Sequence, residues 1–150
     1  MNEALIANWN AKVKQYDIVH LIGDFAFGTP EFALRIKRRL NGIIHLIKGN
    51  HEKPALAISN EFASVRDVST VRVNGQTIFM SHYAHRVWDK SHHGVWHLYG
   101  HSHHSLPDDP TSLSFDVGIN GDGYNYAPLS FDDVKRIMSK KTFVPKDHHG

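Results

Sequence analysis

Four apolar segments of this chain each run into a small residue and then into a side chain able to bind a metal ion. Ile18 to Ile22 leads to Gly23-Asp24, and Ile43 to Ile47 leads to Gly49-Asn50-His51. Thr77 to Met80 leads to Ser81-His82, and Val95 to Tyr99 leads to Gly100-His101-Ser102-His103. Apolar segments of this length read as strands, and a glycine after a strand allows a tight turn and close backbone approach. The side chain that follows projects over the sheet edge. Four such strands side by side would gather one carboxylate, one carboxamide and four imidazoles into a small volume. Oxygen and imidazole ligands together suit Mn, Fe, Co, Ni or Zn better than Mg or Ca, which prefer all-oxygen shells. A carboxylate such as Asp24 is able to bridge two ions, and ions about 3.5–4 Å apart form a clamp for in-line displacement at phosphorus. Such ions acidify a shared water, and an imidazole left off the metal can protonate the leaving oxygen.

Each motif has a plainer explanation when taken alone. Gly-Asp after a strand usually marks a turn, and alternating histidines also occur in surface loops. All four in this order, each at a strand end, point to a metal site rather than to coincidence.

The elements that must hold these residues are legible around them. Residues 3–14 set Leu5, Ile6, Trp9 and Val13 on one helical face, with Asn2 as a candidate cap. A second amphipathic helix spans 30–41, opened by Pro30 and stopped by Asn41-Gly42. A short helix is predicted over 54–62. Strands at 71–73 and 77–80 flank Asn74-Gly75, the strongest short hairpin signal. A loop rich in His and Trp covers 83–94, and Leu113 to Val117 reads as a late strand. A final helix over 130–139 is capped by Ser130, with Asp132 and Asp133 in its first turn favouring the dipole. Strands alternating with helices, then a hairpin, predict a mixed α/β domain whose sites lie at the carboxyl ends of strands.

The series Gly-Asp, Gly-Asn-His, His and Gly-His-x-His resembles motifs two to five of the calcineurin-like metallophosphoesterases. The match runs from about Asp17 to the end of the chain and is closest to small bacterial and phage-type phosphoesterases. The resemblance implies a four-layer α/β/β/α sandwich. It implies Asp24 as bridging ligand, with Asn50, His82 and His101 completing the second metal's shell and His103 binding the first. His51 would be the general acid in hydrolysis of a phosphomonoester or phosphodiester by a metal-activated water. The implied cofactors are two divalent ions, Mn foremost, with Fe, Zn, Ni or Co as alternatives. Arg86 and His104 are candidate contacts to the substrate's phosphate.

The family's first motif, Asp-x-His at the end of an N-terminal strand, has no counterpart here. Asp17-Ile18-Val19-His20 has the wrong spacing, and alternation along a strand keeps Asp17 and His20 from converging on one ion. Three readings follow: residues 1–150 are a single domain that is N-terminally incomplete, or a natural short form binding only the second metal, or a chain in which a histidine from 85–104 substitutes. The incomplete domain is preferred. The alternative function is a catalytically weak or inactive metal-binding or interaction domain built on the same fold.

Other residues invite a plainer account. His20, His45 and His97 lie inside strands and are expected to be satisfied sheet histidines. Trp88 and Trp96 are expected to pack, and Lys37-Arg38-Arg39 to form a solvated helix face. Gly121-Asp122-Gly123 with Asp116 lacks the repeated oxygen ligands of a calcium loop. The 150 residues carry 13 His and no Cys, which excludes disulfides, thiolate sites and a cysteine nucleophile. At 41% hydrophobic and 21% charged the chain can bury a core, and its formal net charge of +2 gives no case for nucleic acid. With no signal peptide and no apolar run approaching the ~20 residues of a membrane span, a cytoplasmic protein with no membrane partner is expected.

Overall fold

The computed structural model describes residues 2–23, 29–50, 53–101, 105–118 and 127–146. Its elements follow in the order α1 (Asn2–Lys12), β1 (Ile18–Ile22), α2 (Pro30–Arg39), β2 (Ile43–Ile47), α3 (Lys53–Ala57), β3 (Ser64–Arg66), β4 (Val68–Val73), β5 (Gln76–Ser81), β6 (Trp96–Tyr99), β7 (Ser114–Asp116) and α4 (Phe131–Ser139). Strands β1-β2-β3 form one sheet, all parallel. Strands β4-β5-β6-β7 form a second, mixed sheet in which only the β4–β5 pair is antiparallel. The chain is therefore mixed α/β, as its sequence predicts.

Strand periodicity divides the first sheet between two cores. Val19, Leu21, Ile44 and Leu46 pack with the helices, where Ile6 and Trp9 of α1, Val13 just after it, and Ala33 and Leu40 of the α2 region are buried. The indole Nε1 of Trp9 donates to Asn41 O at 2.9 Å, tying α1 to the turn before β2. Ile22 and Ile47 belong instead to a second core with Ile78, Met80, Trp96 and Leu98 of the other sheet. The two sheets thus meet through their apolar faces. Helix α4 joins the same core through Val134 and Met138, and Phe131 stacks on Trp96 at 5.6 Å.

Local signals explain the boundaries. Thr29 caps α2, accepting from Phe32 N at 3.1 Å ahead of Pro30. Ser130 caps α4 in a full capping box with Asp133. Asn74 and Gly75 hold φ of 48° and 82°, the positive pair that a tight type I′ hairpin needs. The helix predicted over 54–62 is instead the short α3 followed by a 3-10 turn at Ser59–Glu61. Helix α1 starts at Asn2, so that residue stands in the first turn rather than ahead of it.

The seam between the sheets is not filled along its length. Among the described residues β1 pairs with β2 alone, leaving its other side as the edge of the sheet. Beside that edge lies a cleft of about 1720 Å³ walled by both sheets and by residues 128–131. His20 and His45 stack across neighbouring strands at 5.3 Å, and His45 Nδ1 meets Ser64 Oγ at 2.7 Å, so both are partnered sheet histidines.

Candidate metal centre

The four predicted ligand-bearing strands are not side by side in one sheet. They are two adjacent parallel pairs, β1–β2 in the first sheet and β5–β6 in the second. The reason is that the β4–β5 hairpin starts a new sheet, and parallel β6 adds to β5 rather than to β2. Convergence comes from stacking the two sheets, with the carboxyl ends of both pairs at the same end of the seam.

Backbone bonds fix the second pair. Gly100 N and His101 N both donate to His82 O, at 3.1 and 2.9 Å. His82 is buried at 3% exposure, directly after β5. The two sheets touch here at glycines. A Cβ on Gly23, whose φ is +76°, would stand 2.0 Å from His82 Nδ1. A Cβ on Gly100 would stand 2.9 Å from Ile22 O. Both glycines are required for the sheet ends to approach, which gives their place in the motifs a physical cause.

His82 Nε2 lies 2.9 Å from Asn50 Oδ1 and 3.1 Å from His101 Nδ1. Three predicted ligands from three strand ends and two sheets therefore point their heteroatoms at one another. Two donors bound to one ion at about 2.1 Å and at right angles stand about 3 Å apart, so this spacing matches neighbouring positions of an octahedral shell. Asn50 is exposed and His101 half-buried, so the cluster opens to solvent. Among the described residues no group of three His, Asp or Glu is gathered; the cluster is two imidazoles and a carboxamide. Asp24, His51, His103 and His104 lie outside the described residues. Arg86 is exposed on the loop after His82.

A buried histidine anchors that loop. His97, 0% exposed on β6, meets Phe79 O through Nδ1 at 3.2 Å, and its Nε2 accepts from His85 N at 2.9 Å. Burial pushes its imidazole down to about 4, so the ring is neutral and serves as donor and acceptor at once. Trp88 closes over it, and its Nε1 donates to Val95 O at 2.8 Å. His97 and Trp96, inside β6, and Trp88, on the loop after β5, are thus structural, as the sequence predicts.

The sequence did not reveal a pocket of about 450 Å³ beside His82, lined by Lys48, Leu56, Val68, Tyr83 and His85 among others. Its residues come from four separate stretches, and no spacing rule joins them.

No family model matches the chain. The chain is 29% identical over 151 residues to the uncharacterized protein MJ1445 of Methanocaldococcus jannaschii, covering 96% of this chain and 78% of that one. Its fold is similar to that of the crystal structure of AQ665 from Aquifex aeolicus, a protein of unknown function, with a TM-score of 0.66 and 17% identity over 91% of this chain and 84% of that one. Among the described residues no helix is long and apolar enough to cross a membrane.

Proposed function

We propose that this chain is a metal-dependent phosphoester hydrolase of the calcineurin-like type. The observation that carries the reading is the approach of Asn50 Oδ1, His82 Nε2 and His101 Nδ1 to within 2.9 and 3.1 Å at the joined ends of two sheets. Carboxamide oxygen and imidazole nitrogen are ligands for Mn, Fe, Co, Ni or Zn. Asp24 follows Gly23 directly in the chain, and Gly23 abuts His82, which supports Asp24 as the bridging carboxylate. His51 follows Asn50 and is assigned as general acid, donating its proton to the leaving oxygen. His103 belongs to the first metal in this reading, and Arg86 and His104 to the phosphate. The metal pair would supply an acidified water and charge neutralisation on the phosphoryl oxygens.

The reading includes a four-layer α/β/β/α sandwich and one more strand. The edge of β1, unpaired among the described residues, and the adjoining cleft match the space such a strand would fill, and its Asp-x-His would complete the first metal's ligands. The test is calorimetric titration with Mn²⁺ beside hydrolysis of nitrophenyl phosphate and bis-nitrophenyl phosphate. Binding that is lost in His82→Ala, with turnover on either ester, is expected. The reading fails if no divalent transition ion binds.

A second reading is favoured by the ligand count. Asn50, His82 and His101 with Asp24 would form one shell, and no Asp-x-His precedes β1 in residues 1–150. A single bound ion with no turnover would make this chain a metal-binding or interaction domain on the same scaffold.

A further inference from the structure

The pocket beside His82 has features that the metal chemistry does not use. Leu56, Val68 and Tyr83 line it and are 44%, 49% and 50% exposed, so three large apolar surfaces face one small hollow. Scattered exposed apolar side chains need no explanation, but a group around a concavity next to a reactive centre does. The Tyr83 ring belongs to both places. It lies 4.5 Å from the His101 ring and 5.0 Å from the His82 ring while forming a wall of the pocket. A ligand whose phosphate sits at the metal proposed for His82 and His101 would reach this hollow with its next group.

His85 adds a directional polar contact. Ser81 Oγ donates to Tyr83 O at 2.6 Å. His85 Nδ1 sits 3.0 Å from Ser81 Oγ and 3.1 Å from Tyr83 O, and that carbonyl can only accept. A ring proton therefore belongs on Nδ1, and in that tautomer Nε2 is an acceptor. At the rim Lys48 Nζ pairs with Asp67 Oδ1 at 3.0 Å, which cancels the local charge. The volume of about 450 Å³ suits one ring system with its linker and is too small for a folded partner.

We propose that this pocket is the subsite for the alcohol portion of the ester, and that it selects an aromatic group bearing an N–H or O–H donor, as a nucleoside does. The assignment rests on the phosphoester reading for the position of the phosphate. Apolar walls and Tyr83 take the ring, and Nε2 of His85 takes its donor.

Methyl and aromatic NMR titrations of the Zn²⁺-loaded chain test this with adenosine 5′-monophosphate, 1-naphthyl phosphate, glycerol 3-phosphate and inorganic phosphate as probes. Adenosine monophosphate is expected to shift the Leu56 and Val68 methyls and the Tyr83 ring, and to bind about tenfold more tightly than glycerol phosphate. Leu56→Asp should erase that preference. His85→Phe should weaken adenosine monophosphate about fivefold, the worth of one hydrogen bond, and leave naphthyl phosphate unchanged. Both side chains are exposed, and unchanged melting curves confirm that the variants fold. Equal affinity for the aromatic and glycerol esters, or shifts confined to the cleft between the sheets, overturns the proposal while leaving the phosphoester reading in place. Adenosine without phosphate is the separate arm. If it fails to shift Leu56 and Val68 the pocket proposal falls whatever the metal does, and if it shifts them when no metal binds, the phosphoester reading alone falls.

Discussion

Substituting Gly23 with Ala separates a backbone effect from an effect on the candidate metal centre. Its φ of +76° is left-handed, which costs an L-residue about 1–2 kcal/mol. The added Cβ would also stand 2.0 Å from His82 Nδ1. Ordinary contact is about 3.5 Å, so the ring or the turn must retreat by roughly 1.5 Å. The contacts from His82 Nε2 to Asn50 and His101, now 2.9 and 3.1 Å, do not survive such a movement. A displaced ligand or supporting contact lowers metal affinity by about 10–100-fold. Gly75→Ala is the matched control, because its φ is +82° and nothing lies within 4 Å of the Cβ position. In urea melts of the metal-free chain Gly75→Ala should lose about 1–2 kcal/mol and Gly23→Ala more, because it adds the clash with His82, and only Gly23→Ala should lose Mn²⁺ affinity in calorimetry. Unchanged affinity in Gly23→Ala, or an equal loss in both variants, would refute the argument that the sheets join at His82.

Acid should destabilise the chain through His97. Its folded-state pKa is depressed to about 4 from an ordinary 6.5, so below pH 6.5 the unfolded chain takes up a proton that the folded chain refuses. Stability should fall as pH drops from 6.5 to 4, by about 3 kcal/mol in all, and His97→Gln should flatten that part of the profile in urea melts. Ser130→Ala removes the cap of α4 and should cost about 1 kcal/mol in the same assay. Lys12 and Asp133 pair at 2.6 Å but are partly exposed, so Lys12→Ala should cost under about 1 kcal/mol and less in high salt. A chain extended at its N-terminus by an apolar strand ending in Asp-x-His should melt higher and bind a second Mn²⁺; equal melting and one ion would count against the added strand.

Strands β1 and β2 were legible because apolar runs interrupted only by His20 and His45 are what a parallel strand packed on both faces requires. Asn74-Gly75 was legible because few residues accept its backbone. Strand β3 was not, since Ser64–Arg66 is three residues long and owes its existence to β2 beside it. The candidate ligands Asn50, His82 and His101 could be read because each follows a strand end. Their partition between two sheets could not, because no local signal says whether β5 continues the first sheet or starts another. The pocket walls were hidden for a related reason: Leu56, Val68 and Tyr83 acquire a common surface only after the sheets stack.

The partition has a mechanical consequence. Each sheet holds part of the proposed ligand set, so an ion bound by Asn50 and by His82 with His101 would act as a rivet between two layers otherwise joined by side-chain packing. Sliding one sheet along the other would pull the ligands apart, and the ion would resist that shear. Loading the site should therefore slow opening of the seam as well as raise equilibrium stability, with hydrogen exchange slowed in β5 and β6 together with β1 and β2.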